Sequence, residues 1–280
     1  MKHILTVALV SAFIVSITLF TASNVVAQTN EHSVVNTYAE IKEGYQNTLS
    51  EYRSTRSDFL SARNKYRKKS AAISSEQLLE LARKYVQKTV ITMSKYLETL
   101  KIRVENAGSI DEEKRNTIIV EIDSDIAWLQ ERLEQIENTS ESSALTSITN
   151  SIREQWASIK IRAKKYVGVL LATRTYQTID KLEQEKNKVE KYIVQLQENN
   201  QEVGRLEGLL EEFDEKLEMT KTQTTSAEGV FNRIDSSENM QLFFKQGKDF
   251  LTSANRYIRE TWQVYQASVS ELKKRRLYNQ

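Results

Sequence analysis

The chain has 280 residues, and its 40 lysines and arginines nearly balance its 38 aspartates and glutamates, giving a formal net charge of +2. It contains no cysteine, no proline, only seven glycines and only two histidines. This composition excludes disulfides and cysteine-ligated metal sites, leaves few turn residues for β-hairpins, and provides no overall field to attract nucleic acid. The expected fold class is therefore all-α.

Residues 1–27 have the pattern of an export signal. The positive start Met1–His3 is followed by an apolar run over 4–20 and by Val25-Val26-Ala27, whose spacing suits signal peptidase. We expect cleavage after Ala27 and an extracytoplasmic mature chain that is secreted, periplasmic or at the cell surface. Because the apolar run approaches the length that spans a bilayer, an uncleaved N-terminal membrane anchor is the alternative.

Two helices are predicted next, because apolar residues recur at spacings of three and four. The first begins near Tyr38 and ends in the basic cluster 65–69, with a connection over 70–75. The second runs over 76–105, and Ser74 or Ser75 is expected to cap its start.

A third helix is expected after Gly108, which suits the left-handed position that ends a helix. Ser109 to Glu112 has the pattern of a capping box. The helix should end in a polar break over 138–143, and its core stripe consists of Ile118, Ile122, Ile126, Leu129, Leu133 and Ile136.

The fourth segment has no helix breaker between Leu145 and Asn199. It predicts one continuous helix of roughly 55 residues, or about 80 Å at 1.5 Å per residue. A helix of this length implies either a rod or two bundles that share it. We expect the boundary between the bundles near 171–176.

Two further helices complete the pattern. The fifth has apolar residues in strict three-four alternation from Val203 to Ile234, with a weak middle at Thr220 to Ala227 that could offer a lateral surface to another helix. The sixth should begin at Ser236 or Ser237, and its predicted core stripe consists of Phe243, Gly247, Phe250, Ala254, Tyr257, Thr261, Val264 and Leu272.

The predicted architecture is an elongated antiparallel bundle of about six long helices with heptad-like packing. Residues 28–172 would form an N-terminal bundle from helices one to three and the first half of helix four. Residues 173–280 would form a C-terminal three-helix bundle that shares the very long fourth helix.

Little in the sequence indicates catalysis or metal binding. The only histidine after the signal is His32, and the sequence contains no zinc motif or phosphate-binding loop. The carboxylates Asp123, Asp125 and 111–113 are expected to lie on solvated helix surfaces. We therefore expect no catalytic, cofactor-binding or metal residues and no enzyme, with a carboxylate-dependent hydrolase as the least favoured class.

Two other residue groups allow more than one interpretation. The tryptophans Trp128, Trp156 and Trp262 lie on or beside core stripes, which favours core packing over stacking on a sugar. The basic clusters 65–69, 160–165 and 273–276 are expected to be solvated or to complement helix dipoles. They would otherwise bind an anionic envelope polymer, nucleic acid or lipid head groups.

The central part of the chain also carries a resemblance. The motifs Ile122–Leu129, Ile152-Arg153 with Trp156, and 168–172 with Arg174 together resemble an uncharacterised group of exported all-helical bacterial proteins. The resemblance covers roughly the central third of the chain, its motifs resemble packing positions, and it implies no activity, ligand or site residue.

These patterns predict a non-enzymatic helical bundle that acts as an envelope scaffold, spacer or protein-binding module. Its partners would be another protein or a second copy, bound through helix faces, without specific nucleic-acid recognition. The alternative is an amphipathic-helix protein that binds lipid or membrane surfaces.

Overall fold

The computed structural model describes residues 31–68 and 73–278, with side chains for 38–68 and 73–275. These residues form only α-helices and turns, which confirms the all-α prediction. The export signal and residues 69–72 lie outside the described residues. The six helices are α1 (Glu31–Arg67), α2 (Ser75–Glu105), α3 (Glu112–Glu137), α4 (Ser142–Glu198), α5 (Gly204–Asn232) and α6 (Ser237–Tyr278).

The start of α2 is capped as predicted. The Gln77 backbone N–H donates to the Ser74 hydroxyl (3.1 Å), and the Ser74 backbone N–H donates to the Gln77 side chain (2.9 Å). This reciprocal capping box satisfies two backbone donors that the helix itself leaves unpaired. The capping box places the first residue of α2 at Ser75.

The predicted left-handed conformation of Gly108 is wrong, because no described glycine has a positive φ. The end of α2 is instead closed by Asn106, whose side-chain amide donates to the Ile102 carbonyl at 2.8 Å. This bond satisfies a last-turn carbonyl without a left-handed residue. The residue with a positive φ is Asn200 (φ 53°), directly after the predicted end of α4.

The first compact unit extends to Asn106 and resumes over Glu112–Lys160. Within it, α2 packs against both α1 and α3. A chain of aromatic contacts runs through this unit: Phe59 stacks on Tyr85 at 5.5 Å between ring centroids, and Tyr96 meets Trp156 of α4 edge-on at 6.5 Å. Such pairs stabilise by about 0.5–1.5 kcal/mol each beyond the area they bury.

The second compact unit consists of Ala107–Asp111 and the chain from Ile161 onward. The division within α4 thus lies between Lys160 and Ile161, and the sequence analysis placed it between 172 and 173. Three apolar clusters follow one another between α4, α5 and α6. Their buried members include Phe231 and Phe244, then Ile179, Phe213 and Val264, then Val189, Ile193 and Leu206.

Phe231 of α5 is the most tightly enclosed aromatic residue of the second unit. It is fully buried, and its ring lies between Gly168 of α4 and Gly247 of α6. A Cβ atom built on Gly168 would lie 2.4 Å from the ring, and one built on Gly247 would lie 2.3 Å from it. The two glycines are therefore required to make room for one phenylalanine.

The weak middle of α5 is not a surface. Thr220, Thr224 and Ala227 are each 0% exposed, as is Thr261 of α6. The threonine hydroxyls are satisfied inside their own helices; Thr224 Oγ1, for example, donates to the Thr220 carbonyl at 2.8 Å. The prediction that this stretch offers a lateral face to another helix is therefore wrong, because α5 turns it inward.

In two predicted stripes, individual positions are displaced by one residue. In α3, Asp125 is 5% exposed, whereas Ile126 is only half-buried, so the expectation of a solvated Asp125 is wrong. In α6, Phe244 is buried and its predicted neighbour Phe243 is only partly buried against the same cluster. Adjacent residues differ by about 100° around a helix, so either member of such a pair satisfies the sequence pattern.

Candidate binding surface

The acidic side chains that the sequence singles out at 111–113 and Asp123 lie at the surface of the protein. Asp123 is exposed, as predicted, and both of its carboxylate oxygens accept from Lys101 of α2 at 2.7 Å. The Asp111–Glu113 cluster is likewise exposed. No group of three or more aspartate, glutamate or histidine side chains that could hold a metal occurs among the described residues.

The three tryptophans occupy different environments. Trp156 is buried, in agreement with the core-packing prediction, and Trp128 is half-buried beneath the Arg132 guanidinium, 5.0 Å from its ring. Trp262 is 45% exposed, so core packing is wrong for it; its ring lies 5.1 Å from that of Tyr265. Trp262 therefore lies beside the core stripe of α6 and is not part of the core.

The C-terminal basic cluster is anchored through Arg275. Its guanidinium pairs with Glu271 at 3.2 Å, and it also donates to the backbone carbonyl of Glu202. Glu271 in turn pairs with Arg205 at 3.5 Å. This network ties the last turns of α6 to the start of α5, so Arg275 is not a free cation.

The cluster over 160–165 is half-buried rather than solvated. Lys164 Nζ lies 3.7 Å from the centroid of the Phe244 ring. Burial, followed by the nearby positive charge of Lys248, lowers the pKa of Lys164. A partly desolvated lysine over an aromatic face forms part of the rim of the apolar core.

The N-terminal basic cluster is part of a larger basic surface on α1. Lys65 and Lys68 are exposed, and the stretch from Arg53 to Lys68 holds six lysines and arginines against the single acid Asp58, a formal charge of +5. Four of the six cations recur at spacings of three, seven and four residues. These four, Arg53, Arg56, Arg63 and Arg67, are called the arginine stripe below.

The arginine stripe differs from several basic residues elsewhere in the described chain. None of its members forms an ion pair with a carboxylate of the described residues, whereas Lys88 of α2 pairs with Glu51 and Lys186 of α4 pairs with Asp214. The charged groups of Arg53 and Arg56 instead interact with tyrosines. Arg53 lowers the pKa of Tyr45 and Arg56 lowers that of Tyr52, although burial raises the pKa of both tyrosines more strongly.

The sequence analysis recognised only the end of this surface, at 65–69. Contiguous lysines and arginines are visible as a run of letters, but the stripe is interrupted by serines and apolar residues. Its signal in the sequence is the recurrence of arginine at helical spacing. That recurrence was hidden because the same residues flank the apolar stripe of α1.

A shallow groove lies at the end of the hairpin formed by α3 and α4. It is lined by the polar residues Glu131, Glu134, Gln135, Asn138 and Thr139, with Ile148 on the α4 side. Its two glutamates are exposed. Exposed carboxylates in an open groove are usual on a protein surface, so the groove does not indicate a binding or catalytic site.

Among the described helices, none is both long and apolar enough to cross a membrane. Comparison with protein-family models, with curated proteins and with solved structures finds no match to this chain.

Proposed function

We propose that this chain is an exported, non-enzymatic helical-bundle protein that acts as a scaffold, spacer or binding module of the cell envelope. In this proposal α4 is a long helix shared by two sub-bundles with heptad-like packing. Partners would bind to helix faces, whether they are other proteins, a second copy or an anionic envelope polymer.

The observation that carries the proposal is the length of α4, together with the clusters that its side chains join. It is one helix of 57 residues, and it contributes side chains to the cores of both units. Trp156 joins the aromatic cluster of the first unit, and Ile179 and Leu182 join an apolar cluster of the second. A helix that is a structural member of both units suits a spacer or scaffold.

The use of the charged side chains supports a structural role. Lys101 and Asp123 link α2 to α3, Lys221 and Glu183 link α5 to α4 at 2.7 Å, and Glu185 accepts from Tyr265 of α6 at 2.6 Å. Ion pairs that bridge different helices fix the register of those helices. Charged groups used in this way favour a structural role over a catalytic one.

The test of export is the N-terminus of the protein recovered from a bacterial host. We expect the extracytoplasmic fraction to contain a chain that begins at Gln28, measured by intact mass and N-terminal sequencing. Recovery of the whole chain from the cytoplasm, still beginning at Met1, would contradict export. Light scattering and small-angle scattering on the mature chain then test the predicted elongated shape; a compact particle would contradict the spacer role.

Binding to a lipid surface is the second candidate function, and the charge of the α1 surface favours it. Lysines and arginines near an anionic membrane contribute about 1 kcal/mol each. Vesicles of phosphatidylglycerol, compared with vesicles of phosphatidylcholine, provide the direct test. Equal binding to both would contradict this candidate.

A further inference from the structure

We propose that the arginine stripe of α1 binds a linear phosphodiester polymer. This inference rests on the proposed function, because it names the partner of a helix face on an exported binding module. Four properties of the α1 surface support it: the alignment of its cations, the absence of ion pairs between them and the described carboxylates, the partial burial of two of them, and the polar side chains beside them.

The stripe is aligned along one side of the helix. Arg53, Arg56, Leu60, Arg63 and Arg67 succeed one another at spacings of three, four, three and four residues, which keeps them on neighbouring turns. The stripe extends over 15 residues, and the 14 steps from Arg53 to Arg67 rise about 21 Å along the helix axis at 1.5 Å per residue. A row of charges of this length matches an extended polyanion better than a single small anion.

The charge of the stripe is available to a ligand because no carboxylate of the described residues neutralises it. No ion pair to a described carboxylate occurs at any of the four arginines, and Asp58 is the only acid in the stretch from Arg53 to Lys68. Four like charges on one side of a helix repel one another. A bound polyanion would relieve that repulsion and release its own counterions.

Two members of the stripe are already partly ordered. Arg56 and Arg63 are half-buried, and the Nε atom of each is enclosed without a hydrogen-bond partner. Their stems therefore pack against the helix surface while the residues remain partly exposed. Side chains that are held in this way lose less conformational freedom on binding than free lysines do.

The remaining exposed side chains favour phosphate over other anionic partners. Ser57 and Asn64 are exposed and lie within about 40° of Arg53 around the helix axis, and hydroxyl and amide groups join arginine in binding phosphate oxygens. The planar guanidinium also fits two oxygens of one phosphate. A phosphodiester chain supplies one such group per unit.

Two other partners fit this surface less well. An acidic helix would need an apolar seam between the charges, and every exposed position from Arg53 to Lys68 is polar or charged. Penetration into a bilayer would need exposed large apolar residues; those of the described chain lie on other helices, at Val120, Tyr192, Val194, Met219, Leu242 and Trp262.

The test uses the full mature chain and a fluorescently labelled abasic oligonucleotide, which carries phosphodiesters but no bases. Binding is followed by anisotropy over a series of salt concentrations. The variant Arg56→Gln with Arg63→Gln should bind at least tenfold more weakly. The slope of log Kd against log salt should decrease by roughly 1.4, at about 0.7 for each single-strand phosphate contact.

A matched control removes the same charge elsewhere. Lys181→Gln with Lys191→Gln changes two exposed lysines of α4 and should leave the affinity within twofold of the parent. Circular dichroism should show unchanged helicity in both variants, because neither removes an ion pair that the structure records.

Four outcomes would overturn the inference. They are absence of binding by the parent, equal weakening by both double variants, tighter binding to polyglutamate than to the oligonucleotide, and tighter binding to phosphatidylglycerol vesicles. None of these outcomes depends on where the protein is located. A chain that is retained in the cytoplasm would instead contradict the proposed function and leave the binding result intact.

Discussion

Gly247→Ala is the substitution that tests the packing around Phe231. The added methyl carbon would lie 2.3 Å from Cε1, 2.5 Å from Cζ and 2.7 Å from Cδ1 of the Phe231 ring. Gly168 confines the same ring, because a Cβ built there would lie 2.4 Å from its Cδ1 and Cγ atoms. Either the helices separate or the phenylalanine leaves its preferred rotamer.

The expected effect is the balance of two opposing contributions. Replacing glycine by alanine inside a helix normally stabilises by up to about 1 kcal/mol. Forcing a methyl group into a filled core costs about 1–3 kcal/mol, and the upper end applies here because three ring atoms are too close. We therefore expect the free energy of unfolding to fall by about 2 kcal/mol.

Urea unfolding followed by far-UV circular dichroism measures the change. Gly208→Ala and Gly229→Ala are matched controls, because both glycines lie within α5 and no atom lies within 4 Å of the position of an added Cβ. Both controls should increase stability by about 0.5–1 kcal/mol.

The same experiment in a Phe231→Val background separates the clash from other effects. Valine lacks the three ring atoms that the new methyl group would meet, so Gly247→Ala should become stabilising in that background. A sign reversal of this kind is the coupling expected of residues in direct contact. If Gly247→Ala stabilised the parent as much as Gly229→Ala does, the reasoning would be refuted.

Two further predictions concern buried polar groups of the second unit. Thr224→Val should raise the urea midpoint and Thr224→Ser should lower it, because the first adds a buried methyl group and the second removes one, at about 0.8 kcal/mol each. The Thr220 carbonyl keeps its backbone helix bond in both variants. Equal midpoints would contradict this prediction. Tyr265→Phe tests the hydrogen bond to Glu185, which raises the pKa of Tyr265 to about 12, while bonds from Lys188 and then Tyr265 lower the pKa of Glu185. The parent's stability advantage over Tyr265→Phe should therefore be lost at both extremes, as pH falls through the lowered pKa of Glu185 and as it rises from 10 through about 12. An advantage that is constant from acid to alkaline pH would contradict the assignment.

The helix limits were largely predictable because local chemistry sets them. Ser74 caps α2 through its own side chain, and Asn200 adopts the left-handed conformation at the predicted end of α4. These are interactions within a few residues, so a sequence pattern contains all their participants. Gly108 is the exception, because the Asn106 side chain had already satisfied the helix end.

The directions of side chains were less predictable, because they depend on the neighbouring helices. Phe243 and Phe244 are both apolar, and the packing of α4 and α5 against α6 decides that Phe244 faces the core, where its ring lies 5.6 Å from that of Phe231. Thr220 and Thr224 were taken as weak because threonine buries little apolar area, yet helix packing encloses them fully. The arginine stripe was missed because its members have to be compared with acids on other helices, which the sequence alone does not position.

The connection between α2 and α3 has a consequence for dissecting the protein. Ala107–Asp111 belong to the second unit, where Ala107 and Ile110 are buried and Ser109 Oγ lies 3.4 Å from Asp180 Oδ2. A fragment that begins at Ile161 would therefore lack five residues of its own unit, and no single cut yields two complete halves. During synthesis, this connection leaves the ribosome long before its partners in α4, so the second unit cannot finish folding as an independent C-terminal segment.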